Sequence, residues 1–262
     1  MQWRRINRYL KNLSMQNKSQ SLKKGGFTFK RFFVAHDKSP MKITTDSCLL
    51  GAWAPILSST HKVLDIGCGC GVIALMLAQR LEHQACQIDA IDIDAQAVNQ
   101  CQQNCQQAGF KSVSTIQGDI NRFQVKSDNG YDLIVTNPPY FEPAVDCRSS
   151  QRQLARYTES LNYIQLIDSV KRLLKPDGLF CLVLPYHLAD QFTQLCQSNH
   201  LFLQQLLQVK YTADKEFSLS LMAFAPKPNA HVIEQQLCMR CDDGQYSPAF
   251  RALLADFYLF QK

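Results

Sequence analysis

Between residues 62 and 225 the chain alternates short apolar runs with longer segments of helical spacing. Residues 62–66, 87–91, 113–116, 132–136 and 179–184 are runs of strand length. Residues 72–80, 95–108, 161–174 and 188–198 carry apolar positions three and four apart, the spacing of a helix with one face in a core. Gly109 closes the second of these helices, and Lys175-Pro176-Asp177-Gly178 stops the third. Strand and helix in strict alternation predict an α/β chain: a parallel, doubly wound sheet with helices on both faces. Residues 202–211 and 217–225 read as two strands that pair with each other, so an antiparallel edge strand is expected on a mostly parallel sheet. A strand over 231–240, a turn at Asp242-Asp243-Gly244 and a helix over 248–258 follow.

Ahead of this region, residues 27–34 alternate imperfectly and read as a strand or hairpin. Thr45 and Asp46 form the expected N-cap region of a helix through Cys48-Leu49-Leu50. Residues 1–25 are polar and basic, with a short basic amphipathic helix as the only ordered element expected, over residues 3–13. No internal repeat or long linker is visible. The expected organisation is a flexible basic arm over 1–25 and one domain over 26–262. Met15 has the setting of a start, which would make residues 1–14 an extension.

Composition narrows the classes. The chain has 262 residues and is 46% hydrophobic, enough for a sizeable core. No apolar run spans a bilayer and the N-terminus lacks a hydrophobic signal region. The 11 cysteines include two in a glycine loop and two one helical turn apart, so they read as reduced thiols of a cytoplasmic protein rather than a disulfide framework. Of 28 Lys and Arg, 11 fall in residues 1–42, where Asp37 is the one acid; the rest of the chain is mildly acidic. A basic arm on an acidic body suits a polyanion, most simply nucleic acid, although a solvated tail has the same composition. Lys23, Lys24, Lys30 and Arg31 are the candidate RNA contacts there.

The most informative segments sit at strand ends. Val63-Leu64-Asp65-Ile66-Gly67-Cys68-Gly69-Cys70-Gly71 is a strand running into a glycine loop and a helix. Gly67, Gly69 and Gly71 let the backbone turn sharply and approach a ligand. The spacing fits neither G-x-G-x-x-G nor a P-loop. Asp65 before the loop would repel a pyrophosphate but suits an ammonium or sulfonium, which points to S-adenosylmethionine. The next strand ends Asp92-Ile93-Asp94; Asp92 is placed to accept the ribose hydroxyls, and Asp94 to cap the following helix. The third leads to Gly118-Asp119-Ile120, where a carboxylate can take the adenine amine and Ile120 can pack on its ring. Each acid alone would be an ordinary cap or surface charge; three at successive strand ends form a pattern.

The fourth strand ends in Asn137-Pro138-Pro139-Tyr140. A ring-conjugated amine is a weak nucleophile because its lone pair is delocalised. If the Asn137 oxygen and the Pro138 carbonyl accept its two hydrogens, the lone pair points at a methyl donor, and catalysis is orientation rather than strong-base chemistry. Tyr140 offers a face for stacking an unpaired base. An isolated Asn-Pro-Pro would read as a turn. Weaker signals surround this one. Arg148, Arg152 and Arg156 recur every four residues as a candidate phosphate-contacting edge, or as a solvated helix face. Cys238 and Cys241 have C-x-x-C spacing but no second ligand pair, so no metal is expected. His36 beside Asp37 reads as structural or RNA-contacting, because this chemistry needs no histidine. From these residues alone, adenine N6, a glutamine amide and guanine N2 all remain possible acceptors. An RNA-binding module with a relic fold is hard to square with an intact loop and tetrad.

The loop and tetrad resemble those of the class I S-adenosylmethionine-dependent amino-methyltransferases. More narrowly, the chain resembles the bacterial tRNA1(Val) (adenine-N6)-methyltransferases. This resemblance rests on Gly26-Phe-Thr-Phe-Lys30, Phe32-Phe-Val-Ala-His-Asp37, Met41-Lys42, Thr45-Asp46, Leu49-Leu-Gly-Ala-Trp-Ala-Pro55, Ala155-Arg-Tyr-Thr158, Tyr246-Ser247 and Phe257-Tyr-Leu259. It covers the chain from about Met15 onward. It implies a Rossmann-like class I methyltransferase sheet, S-adenosylmethionine as cofactor, and N6 of the adenine just 3′ of the anticodon in a tRNA as acceptor. It further implies that Lys42, Thr45 and Asp46 belong to a segment closing over the methionine part, and that Arg156 and Tyr157 lie near the substrate mouth. Asp92 stands where the family often has Glu, a shorter acid that should still reach the ribose. A protein-glutamine methyltransferase would want a helical N-terminal recognition domain, and residues 1–42 are too short and polar to supply one.

Overall fold

The computed structural model describes residues 24–39, 42–125, 130–139 and 163–260. A small antiparallel hairpin, β1 (Gly26–Thr28) and β2 (Phe33–Ala35), precedes helix α1 (Thr45–Trp53). The main body then runs β3 (Lys62–Ile66), α2 (Val72–Arg80), β4 (Gln87–Asp92), α3 (Ala95–Ala108), β5 (Val113–Gln117) and β6 (Tyr131–Thr136). Helix α4 (Tyr163–Leu173), β7 (Leu174–Pro185), α5 (Tyr186–Ser198), β8 (Phe202–Lys210), β9 (Phe217–Ala225), β10 (Ile233–Cys238) and α6 (Pro248–Leu253) complete it. Eight strands form one sheet in the order β10-β8-β9-β7-β6-β3-β4-β5. All pairings are parallel except those of β9 with β7 and β8. The antiparallel strand β9 therefore lies third from the border, because β10 adds to β8 outside it.

Period-two alternation along the strands sorts their side chains onto two faces. Val63, Ile88, Ala90, Leu133, Val135, Val183 and Leu221 meet α1, α2, α3 and α6 on one side. Leu64, Ile66, Ile91, Ile134, Phe180, Leu182 and Met222 meet α4 and α5 on the other. Helix α2 is buried nearly all round, from Val72 to Gln79, because it lies between the sheet and α1. The hairpin closes the first layer: the Phe27 and Tyr258 rings are 5.2 Å apart and Phe32 packs edge-on to Phe110 at 5.8 Å.

Three boundaries differ from the sequence reading for local reasons. Helix α4 ends at Leu173, ahead of residues 175–178 as expected, but β7 begins at once at Leu174 rather than at residue 179. Tyr131 pairs with Leu174 and Leu133 with Leu179, so the intervening Lys-Pro-Asp-Gly bulges from the ladder without ending the strand. A Cβ on Gly178 would sit 2.9 Å from the Tyr131 carbonyl oxygen, and only glycine allows that approach. The last helix is six residues long, capped by Ser247 Oγ accepting from Phe250 N–H (3.0 Å). Its cap is followed by a turn in which Phe257 and Tyr258 N–H both donate to the Leu254 carbonyl. Finally, α1 is capped one residue before the expected pair: extended Thr44 accepts from Ser47 N–H, placing Thr45 and Asp46 in the first turn.

Candidate active site

The glycine loop is fastened to the end of β4. Gly67 and Cys68 N–H donate to the Ile91 carbonyl, at 2.9 and 3.1 Å, and Gly69 N–H donates to Asp92 Oδ2 at 2.9 Å. Gly71 adopts a left-handed φ of 85° as it opens α2, and a Cβ there would lie 2.5 Å from Cys101 Sγ. Glycine is required twice over at that position, for its conformation and for its lack of bulk. Cys68 and Cys70 fill the spaces between glycines as small buried residues. Burial pushes the Cys70 thiol up to about 12, so it stays protonated and unreactive.

Asp65 is fully buried at the end of β3. Its Oδ2 accepts from Ala74 N–H (3.1 Å), whereas Oδ1 has no partner. Burial raises its pKa to about 7; the Ala74 bond opposes that rise and the nearby Asp92 charge adds to it. Asp92 uses both oxygens on backbone, Oδ2 on Gly69 and Oδ1 on Asp94 N–H (2.9 Å), and each oxygen retains a lone pair for a further donor. Asp94 caps α3 by accepting from Gln96 and Ala97 N–H, at 2.7 and 2.8 Å, as its position suggested. Between the two acids, Ile93 is 59% exposed, an apolar side chain standing free beside the loop. Asp119 Oδ1 accepts from Asn121 N–H (2.9 Å), with Arg122 within 3.8 Å of its other oxygen. Ile120 is buried with Ile66 and Ile91 in the second core.

Asn137 follows β6, which pairs directly with β3; Thr136 Oγ1 donates to the Ile66 carbonyl (2.9 Å) and locks the two strand ends together. That bond sets the Asn-Pro-Pro segment beside the start of the glycine loop. Asn137 is 9% exposed; its Nδ2 donates to Ser47 Oγ at 2.8 Å, and its Oδ1 is buried without a partner. Pro138 is buried and Pro139 half-buried, and neither has an N–H to compete for an acceptor.

Residues 36–39 and 42–44, a strap between the hairpin and α1, make the contacts around this region. Asn104 on α3 donates to the carbonyls of Ala35 and Cys70, both at 2.8 Å, and accepts from Ala35 N–H. Gln100 accepts from Lys38 N–H (3.0 Å) and donates to Asp37 Oδ1 (2.8 Å). His36 Nδ1 accepts from Ile43 N–H (3.2 Å), and Lys42 Nζ donates to the His36 carbonyl (2.8 Å). That geometry needs a neutral ring, and burial followed by the Lys42 charge lowers its pKa accordingly. Ser39 is 4% exposed with an unpartnered hydroxyl, 3.8 Å from where a Cβ on Gly69 would stand.

The structure thus gathers Asp65, Gly67, Gly69, Gly71, Asp92, Ile93, Asp119, Asn137 and Pro138 at the carboxyl end of the sheet, where α/β ligands bind. Lys42, Thr45 and Asp46 stand at the strap and the first turn of α1. Lys30 and Arg31 are engaged elsewhere: Lys30 Nζ donates to the Ala255 carbonyl, and Arg31 makes a two-pronged pair with Glu82 at 2.7 and 2.9 Å. Lys24 is exposed. Tyr140, Lys23, Arg148, Arg152, Arg156 and Tyr157 lie outside the described residues, as does residues 3–13. Among the described residues no cluster of three or more metal-type ligands exists, Cys238 and Cys241 included. Nor is any described helix long and apolar enough to cross a membrane. Sequence reasoning missed Ser39, Ser47, Gln100 and Asn104. The last two were detectable, since they fall with Ala97, Cys101 and Cys105 on the buried face of α3.

Known proteins resemble this chain in sequence and in fold. A methyltransferase-domain family model matches residues 57–233. The tRNA1(Val) (adenine(37)-N6)-methyltransferase of Proteus mirabilis (strain HI4320) is 45% identical over 247 residues, covering 93% of this chain and 97% of that protein. Proteins of the same name from Photorhabdus laumondii and Serratia proteamaculans are 43% and 44% identical, over 91% and 95% of this chain and 97% and 95% of their own lengths. Among solved structures, a predicted O-methyltransferase from Agrobacterium tumefaciens superposes with a TM-score of 0.63 at 14% identity, covering 80% of this chain and 96% of that one. That likeness supports the Rossmann-like class I methyltransferase fold alone. The sequence matches along almost the whole chain go further: it belongs to the tRNA1(Val) (adenine(37)-N6)-methyltransferase family.

Proposed function

We propose that this chain methylates N6 of the adenine at position 37, just 3′ of the anticodon, in tRNA1(Val), and that Asn137 and Pro138 orient the amine. The residues fit S-adenosylmethionine. Asp65 Oδ1 is a buried, unpartnered acceptor for an ammonium, Asp92 is a strand-end carboxylate for ribose hydroxyls, and exposed Ile93 offers an apolar surface for the adenine ring. Asp119, just past the end of the neighbouring strand β5, would accept the adenine amine. When bound, the cofactor supplies an electrophilic methyl carbon on a sulfonium.

Asn137 Oδ1 and the Pro138 carbonyl oxygen each accept one N–H of the target amine. With both hydrogens held, the nitrogen lone pair turns out of conjugation and points along the line of attack. The acceptors bind the same hydrogens more tightly as the nitrogen gains positive charge, which is stabilisation reserved for the transition state. No strong base is needed, because the methylated amine loses its extra proton readily. Tyr140 follows directly in the chain and supplies the stacking surface for the base. A base in the anticodon loop enters such a pocket at least cost, since it need not leave a duplex. Lys23 and Lys24, with the arginines at 148, 152 and 156, are the proposed contacts to the anticodon stem-loop. A tRNA substrate supports a cytoplasmic location.

The observation that carries this reading is the buried, unpartnered Asn137 Oδ1 beside the glycine loop. The test is Asn137→Ala, assayed for methyl transfer to tRNA and for cofactor binding by calorimetry. Transfer is expected to fall at least about 100-fold, on the scale of a lost transition-state acceptor, while cofactor affinity stays within a few-fold. Activity within a few-fold of the wild type would overturn the assignment.

A further inference from the structure

An asparagine amide can be seated two ways, and only one presents oxygen to an incoming amine. We infer that Ser47 selects the productive seating and is a positioning residue for methyl transfer. This inference rests on the role proposed for Asn137.

Ser47 is 8% exposed in the first turn of α1, and its Oγ accepts from Asn137 Nδ2 at 2.8 Å. Its other neighbour is the Thr44 hydroxyl at 3.3 Å, which already accepts from Ser47 N–H as the helix cap. A Ser47 proton directed at Thr44 Oγ1 leaves an oxygen lone pair facing Asn137, so the matching partner is the NH2 end of the amide. The remaining end, Oδ1, is then turned to the side that has no protein partner. With the amide reversed, Nδ2 would meet the substrate's own N–H donors, and the attacking amine would find one acceptor fewer. The pair spans 90 residues of sequence, joining the first turn of α1 to the end of β6. It therefore links the helix that follows the strap to the group that meets the substrate.

Ser47→Ala removes the hydroxyl but keeps the backbone N–H that Thr44 caps, so α1 retains its first turn. Ser47→Cys keeps nearly the same shape with a much weaker acceptor and guards against a packing artefact. In steady-state assays with tRNA, both variants should lose about tenfold in kcat, the scale of one hydrogen bond to a reacting group. KM for tRNA and calorimetric affinity for S-adenosylmethionine should stay within twofold, and the melting temperature should hold. In Asn137→Asp both side-chain atoms are oxygens, so seating no longer matters. There Ser47→Ala should change kcat less than twofold, and a full tenfold loss would overturn the inference. So would wild-type kcat in both Ser47 variants while Asn137→Ala is inactive. Full activity in Asn137→Ala would instead overturn the role of Asn137 itself.

Discussion

The fully buried Asp65 makes a prediction that links cofactor binding to pH. Its carboxyl is raised from an ordinary 3.8 to about 7 in the free protein, chiefly by burial. At about 1.36 kcal/mol per pH unit, the unbound fold at pH 8 bears roughly 4 kcal/mol for holding this group ionised. The sign follows from proton binding. Between pH 4 and 7 the folded state holds the proton more tightly than the unfolded chain, so stability declines as pH rises and levels off above about 7. Asp65→Asn removes the charge and keeps an oxygen for the Ala74 N–H. Its new NH2 group adds a pH-independent offset of about 1–3 kcal/mol, so the informative quantity is how the difference changes with pH. Denaturant melts of both proteins without cofactor should show the variant gaining on wild type by about 1.4 kcal/mol per pH unit from pH 5 to 7, then no further. The proposed ammonium partner should reverse the wild-type cost. Cofactor affinity measured by calorimetry should fall about tenfold per pH unit below 7 and be flat above, and Asp65→Asn should bind weakly at every pH. A stability difference independent of pH would refute the raised carboxyl. A flat wild-type affinity from pH 5 to 8 would refute its role toward the ammonium.

Gly71→Ala forces a left-handed residue and a Cβ into Cys101 Sγ; it should cost about 2 kcal/mol or more in denaturant melts and weaken cofactor binding. An unchanged melt would contradict the close packing described for the loop. His36 contributes stability that is complete above its ordinary 6.5 and declines as pH falls toward the lower folded value, because protonation breaks the Ile43 bond. His36→Ala should lose that acid dependence and raise the KM for S-adenosylmethionine, while a retained dependence would place its source elsewhere. Arg31→Ala should lower stability by less than about 1 kcal/mol, since its pair with Glu82 is half exposed. A much larger loss would mean that the hairpin hangs on this pair rather than on its aromatic packing.

How far the sequence could be read depends on how local each feature is. The run from Val63 to Gly71 and the helix ending at Gly109 were legible because loop glycines and strand length are local constraints, and the structure keeps those boundaries. The pairing of the strand that ends in Asn137 with the strand that leads into the glycine loop was also legible, because strand order in a doubly wound sheet follows from connectivity. Pairings across long separations were not. Lys30 and Arg31 read as candidate RNA contacts, and nothing in the sequence hinted at their partners Ala255 and Glu82, 225 and 51 residues away. Ser47 gave no signal at all, since a serine early in a helix is ordinary and its partner lies 90 residues on. The helix stop ahead of the proline and glycine at 176 and 178 was legible, but the strand start was not: β7 begins at Leu174, because a ladder can expel a few residues and resume.

The proposed reaction alters one atom of one nucleoside. The direct measurement is incubation of the purified protein with labelled S-adenosylmethionine and total tRNA from a strain lacking the enzyme, followed by nucleoside analysis and mapping of the labelled fragment. Label is expected in N6-methyladenosine, confined to the nucleotide 3′ of the anticodon of tRNA1(Val). Label in N2-methylguanosine, or in protein alone, would contradict the proposed reaction.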